Sequence, residues 1–131
     1  MKRLPPFWIW SPQDFQIDPS RPLYEQFVEQ IRAKIAMGKL EPGARLPSVR
    51  DTAASLRVNP TTVMKAYQEL ERLSLIVTFR GQGTFVTRDT DAIRSSRKRI
   101  AKEAFRQLEE TAASIGLTVK ELIELAHEQE E

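Results

Sequence analysis

Cysteine is absent from the chain, which excludes disulfides and thiolate metal sites and fits a reducing compartment. Histidine occurs once, as His127 in a glutamate-rich end. No nucleophile, carboxylate pair or metal-ligand set clusters around it, so the expectation is no catalytic residue, no metal site and no cofactor. Long apolar runs are missing too. The start "MKRLPPFWIW" is basic and partly apolar, but prolines interrupt it and it stops at "SPQD", too short for a signal-peptide core or a membrane span. A cytoplasmic protein without a membrane partner is expected. Charge of one sign is also lacking: the formal net charge is +2, so a case for nucleic acid has to rest on local clustering. What remains, 40% hydrophobic and 29% charged residues in a chain of 131, is ordinary for one compact domain with an appendage.

Residues 1–21 are proline-punctuated and aperiodic, and read as a loosely packed N-terminal arm whose Phe7, Trp8 and Trp10 could dock on the body or on a partner. Pro22 then opens a helix that Gly38 stops, with Leu23, Phe27, Ile31 and Ile35 at spacing four as its core stripe. "EPGARLP" turns at Pro42-Gly43 and leaves a short extended piece, residues 44–47. Ser48 with Asp51 is a capping-box variant that starts a second helix, rich in small residues and ending near Leu56. Only "RVN" separates it from a third helix, the spacing of a helix-turn-helix. After Leu73 the period drops to two. Runs 76–80 and 84–88 around Gly81-Gln82-Gly83 predict a hairpin, completing a winged helix over residues 22–88. No internal repeat is present.

The third helix, Pro60 to Leu73, carries Asn59 as cap and Pro60 at its first position, yet has no acidic residue in its first turn. Val63, Ala66, Tyr67, Leu70 and Leu73 face the core, while Thr61, Thr62, Met64, Lys65 and Gln68 lie opposite. A helix start that keeps its positive end open, with hydroxyls and a lysine beside it, suits contact with phosphate and insertion into a DNA groove. Arg45, Arg50, Arg57, Lys65 and Arg80 fall at the turn, the helix starts and the hairpin. Each alone is a plain surface charge; together they suit one DNA face. The "GQG" of residues 81–83 leads into a strand rather than a helix, so it reads as a hairpin tip able to approach a sugar-phosphate chain, not as a dinucleotide fingerprint.

These residues resemble the GntR family of bacterial transcription regulators from Pro22 to Val86. "PGARLPSVR" is similar to the family's P-G-x-x-L-P-S-x-R loop, and "GQGTFV" to its wing ending G-x-G-T-F-V. Asn59-Pro60, the Ala66-Tyr67 pair and the short tail look most like the YtrA subfamily. The resemblance implies DNA contacts from Arg50, Thr61, Thr62, Gly81 and Gln82. Many members carry arginine at the positions of Pro60 and Met64; this chain does not, which moves the expectation for base contact to Lys65. Thr52 stands where leucine is usual. The full expected DNA-contacting set is Arg45, Ser48, Arg50, Arg57, Asn59, Thr61, Thr62, Lys65, Arg80, Gly81, Gln82 and Gly83.

Residues 89–131 form a tail with an apolar seam of Ile93, Ile100, Ala104, Leu108, Ala112 and Ile115, flanked by Phe105. Gly116 caps it, and Thr118 to Glu121 open a second helix bearing Leu122 and Ile123. Two short helices can hardly wrap a ligand alone. The seam suggests a homodimer through these residues, against the alternative of packing back on the same winged helix. The fold expected is thus α+β, mostly α: a winged helix-turn-helix followed by a two-helix dimerisation tail. The function expected is a sequence-specific DNA-binding regulator, a dimeric repressor on an inverted-repeat operator; resemblance to the YtrA subfamily implies a transporter operon, including its own gene. A small-molecule effector stays open. The competing class is a winged-helix module binding protein or RNA without operator specificity; an enzyme is the third.

Overall fold

The stripe at spacing four builds the first helix. Pro22, whose ring fixes φ near helical values, precedes α1 (Leu23–Ala36), which buries Phe27, Ile31 and Ile35. The computed structural model describes residues 7–130; these form two compact units divided between Ser96 and Arg97. In the first unit, α1 is followed by β1 (Arg45–Leu46), α2 (Val49–Leu56), α3 (Pro60–Arg72), β2 (Ile76–Phe79) and β3 (Gly83–Val86). Helix α3 packs on α1, on α2 and on β2, so its apolar side (Val63, Ala66, Tyr67, Leu70) sits at the centre of the core.

Two helix ends use left-handed backbone without glycine. Arg57 (φ 56°) ends α2 with Val58 N–H donating to the Ala53 carbonyl at 3.1 Å, and Ser74 (φ 63°) ends α3 with Leu75 N–H donating to Leu70 at 3.0 Å. Both are Schellman-type closures, and the first makes the sharp bend between α2 and α3. A side chain at positive φ costs roughly 1 kcal/mol relative to glycine.

The three strands form one antiparallel sheet, β1-β3-β2. The extended piece expected before α2 is therefore a strand, pairing Arg45 with Phe85 and Leu46 with Thr84. In the hairpin, Phe79 pairs with Gly83, so the expected runs 76–80 and 84–88 are corrected to 76–79 and 83–86. Gln82 N–H donates to the Phe79 carbonyl at 2.9 Å and Gly81 has φ 79°, the third position of a type II turn. The tip is accordingly Arg80-Gly81-Gln82, and Gly83 already belongs to β3.

The arm is not loose over its described residues, which corrects the expectation for residues 7–21; residues 1–6 lie outside the described residues. Trp10 and Phe15 are buried in the core, 2% and 8% exposed. Rings succeed one another from Trp8 to Trp10 (4.6 Å), Phe15 (5.0 Å) and Phe27 on α1 (4.9 Å). Two glutamines four apart on α1 act as a strand would. Gln30 holds the N–H and carbonyl of Gln16, and Gln26 those of Asp18, at 2.6–2.9 Å. Burial of the Trp10 ring contributes on the order of 3 kcal/mol to this docking.

Helix α4 (Thr90–Ser114) starts where the Asp89 carboxylate accepts from the N–H groups of Asp91 and Ala92. In the second unit it ends in a Schellman motif at Gly116 (φ 76°), with Leu117 N–H on Ala112 and Gly116 N–H on Ala113. The expected capping box at Thr118 and Glu121 opens α5 (Val119–Ala126).

Candidate nucleic-acid interface

At the start of α2, Ser48 Oγ accepts from Asp51 N–H at 3.0 Å, and Thr52 N–H returns to the Ser48 carbonyl at 2.9 Å. The reciprocal half of the capping box does not form. The N–H groups of Val49 and Arg50 have no partner among the described residues, so this helix end keeps donors facing outward. Arg50, Ser48 and Arg45 around it are exposed.

The start of α3 differs from the expectation. Asn59 Oδ1 accepts from Thr61 N–H at 2.8 Å, Thr62 N–H bonds the Asn59 carbonyl at 3.0 Å, and Pro60 has no N–H. The open donors expected at α3 are already occupied by its own cap; the free ones lie one helix earlier. What α3 offers is its exposed face: Thr61, Met64, Lys65, Gln68 and Arg72 are exposed at spacings of three and four. Thr62 is half-buried beside this face. No acidic residue stands in its first turn. Arg72 is tied to Glu69 by two hydrogen bonds, at 2.9 and 2.5 Å. Lys65 folds toward α1, its Nζ 4.7 Å from the Tyr24 ring centroid.

The structure brings Arg45, Ser48 and Gly83 around one cleft, joining β1, the α2 start and the wing. Arg57 and Asn59 are exposed in the α2–α3 turn, and Arg80, Gly81 and Gln82 are exposed at the wing tip. Arg45, Arg50, Arg57, Lys65 and Arg80 form no ion pair among the described residues. Arg45 and Arg50 beside the free donors of the α2 start, with Arg57 in the α2–α3 turn, Lys65 on α3 and Arg80 at the wing tip, are unpaired cations able to attract a polyanion.

Behind this surface, one phenol holds three segments together. Tyr67 Oη on α3 donates to the Pro47 carbonyl ahead of α2 at 2.7 Å, accepts from Trp10 Nε1 of the arm at 3.2 Å, and lies 3.3 Å from Thr52 Oγ1 on α2. Burial raises the Tyr67 pKa, against the hydrogen bonds from Thr52 and Trp10, which lower it. The threonine that departs from the family pattern is here a buried hydroxyl with a partner.

Residues 23–86 match the model of the bacterial regulatory proteins of the gntR family. The regulator YhcF of Bacillus subtilis is 35% identical over 111 residues, covering 85% of this chain and 92% of its own. The chain belongs to the GntR family. It is also similar to the repressor YtrA of B. subtilis, with 39% identity over 112 residues that cover 83% of this chain and 86% of YtrA. A GntR family regulator from Listeria monocytogenes shares the fold at TM-score 0.78 and 36% identity, over 87% of this chain and all of that one. As a GntR member the chain is a DNA-binding transcriptional regulator and not an enzyme, which sets aside the interaction-module reading. No helix among the described residues is long and apolar enough to cross a membrane.

The tail residues divide. Ala112 is 1% exposed and Ile93 packs on the winged-helix core, so neither is an open apolar surface. Ala104, Phe105, Ile115 and Ile123 are exposed; Ile100, Leu108 and Leu122 are half-buried.

Proposed function

We propose that this GntR regulator is a cytoplasmic homodimeric repressor that binds an inverted-repeat operator, with a transporter operon and its own gene as targets. The observation that carries the reading is the set of unpaired cations around the α2 start and the exposed face of α3. Val49 and Arg50 N–H groups, with Ser48, Arg50, Arg45 and Arg57, hold phosphates and set the register. Thr61, Thr62 and Lys65 on α3 enter the major groove, and Arg80, Gly81 and Gln82 approach the backbone alongside. Gly83 leaves room there for Arg45. Lys65 must leave the Tyr24 ring to reach a base, at a cost of about 0.5–1 kcal/mol, so phosphate contact suits it better than base contact.

The exposed apolar residues of α4 and α5, Phe105, Ile115, Ile123 and Leu125, support pairing with a second copy. Residues 89–131 then act as a dimerisation tail, and two copies of α3 present matching faces to two half-sites. Similarity to a protein named as a repressor, along most of both chains, supports repression.

Selection from random duplex DNA tests the reading. Enrichment of two inverted half-sites spaced about one helical turn (~10 bp), recurring upstream of the protein's own gene, is the expected result. Absence of any enriched duplex would defeat the proposed operator specificity; a single asymmetric site would defeat the dimer.

A further inference from the structure

Beside the arm lies a cleft of about 420 Å3, bordered by Phe7, Trp8, Leu46, Pro47, Val49 and Arg45. Trp8 is the anchored part of its lining. Trp8 Nε1 donates to the Arg45 carbonyl at 2.6 Å, and its ring meets the buried Trp10 edge-on at 4.6 Å. The Arg45 guanidinium is 5.2 Å from the Phe7 ring centroid and 5.9 Å from that of Phe85. A Cβ at Gly83 would stand 3.1 Å from that guanidinium, so the glycine keeps its place clear. Arg45 has no acidic partner among the described residues.

Small-molecule sites enclose roughly 300–1,000 Å3 and join apolar walls to a few polar groups; this cleft has that make-up. Its aromatic lining, Phe7 and Trp8, with the aliphatic Leu46, Pro47 and Val49, suits a flat apolar body. A planar guanidinium recognises an acid through paired hydrogen bonds. Asp51 also lines the cleft, and its charge disfavours a ligand with several negative groups.

We propose that this cleft binds a small aromatic molecule bearing one acidic group, and that this ligand and DNA exclude each other because Arg45 and Ser48 serve both. The exclusion rests on the DNA-contact reading given above; the binding does not. Occupancy would remove a cation and a helix-start contact from the DNA face, so the ligand would release the operator.

The probe is 8-anilinonaphthalene-1-sulfonate, titrated into the full chain without DNA, with uncharged N-phenyl-1-naphthylamine as its counterpart. Saturable binding of one sulfonate per chain is expected. Weakening of at least about tenfold is expected for Trp8→Ala, for Arg45→Gln and for the uncharged probe, the size of one lost charge-assisted hydrogen bond or one lost wall. Met37→Ala, at an exposed position just after α1 and outside the cleft, should leave affinity unchanged. Arg45 is exposed, so Arg45→Gln keeps the site testable even if Trp8→Ala loosens the arm; near-ultraviolet circular dichroism reports that. Unsaturable binding, or affinity indifferent to Arg45→Gln, would overturn the site. Adding duplex DNA should displace the sulfonate, and sulfonate retained on DNA-saturated protein would overturn the exclusion. A chain that binds no duplex at all would count against the DNA reading, while the DNA-free titration would still decide the cleft.

Discussion

Replacing Tyr67 by phenylalanine removes one oxygen and keeps the ring. That oxygen serves Pro47, Trp10 and Thr52 at 2.7, 3.2 and 3.3 Å, and the side chains of Trp10, Thr52 and Tyr67 are all buried. Without it the Trp10 N–H and the Pro47 carbonyl lose a partner inside the core, at about 1–3 kcal/mol for each buried unsatisfied group. The Thr52 hydroxyl can rotate to recover one of them, so the net loss expected is that of the other, about 1–3 kcal/mol. Urea unfolding is the assay, followed by tryptophan emission, since both tryptophans, Trp8 and Trp10, lie in the arm. With a urea slope of about 2 kcal/mol per molar, the midpoint should fall by roughly 0.5–1.5 M. A fall below about 0.3 M would show that the phenol is not the joint between arm, α2 and α3. The same residue gives a pH signature. Burial raises its folded pKa, so the stability it contributes is complete below the unfolded value near ~10 and is lost as pH rises through the folded one. Wild type should therefore lose stability above about pH 10 more steeply than Tyr67→Phe.

Arg57→Gly relieves a positive φ of 56°, worth roughly 1 kcal/mol and largely offset by the greater freedom of unfolded glycine. The urea midpoint should stay level or rise, while DNA affinity falls and the salt slope of binding shrinks by about one; a falling midpoint would refute the strain argument. Gly43→Ala places a Cβ at φ +81° and 2.8 Å from the Arg88 guanidinium. Because that side chain can move, backbone strain of about 1–2 kcal/mol is the expected loss in calorimetry. Phe105→Glu with Ile115→Glu should shift sedimentation equilibrium toward monomer by at least about 30-fold in dissociation constant, leaving the urea midpoint of the winged helix unchanged.

The helix-turn-helix and the wing were legible because their signals are local. Asn59-Pro60 starts α3, Ser48 caps α2, and Gly81 marks the tip. The arm was not legible, since its order comes from contacts 57 residues apart, as between Trp10 and Tyr67, and an aperiodic stretch with prolines shows no period of its own. Three signals did exist: the aromatics of the arm, Gln26 within an apolar stripe, and Thr52 in place of leucine. They act as a set, and only the fold displays the set. Strand β1 was legible only as an extended piece over residues 44–47 and not as a sheet partner, because its two residues are too few for alternation to register. The free donors were assigned to the wrong helix for a different reason. Naming Asn59 as the cap of α3 already implied that its first N–H groups were taken, and the same rule left Val49 and Arg50 open at α2.

Fluorescence anisotropy of the selected duplex with Arg50→Ala/Lys65→Ala, run beside wild type over a salt series, probes the DNA-facing surface most directly. The account predicts an affinity loss of about tenfold or more, a salt slope smaller by about two, and an unchanged urea midpoint. Equal affinity and equal slope in a folded double variant would contradict it.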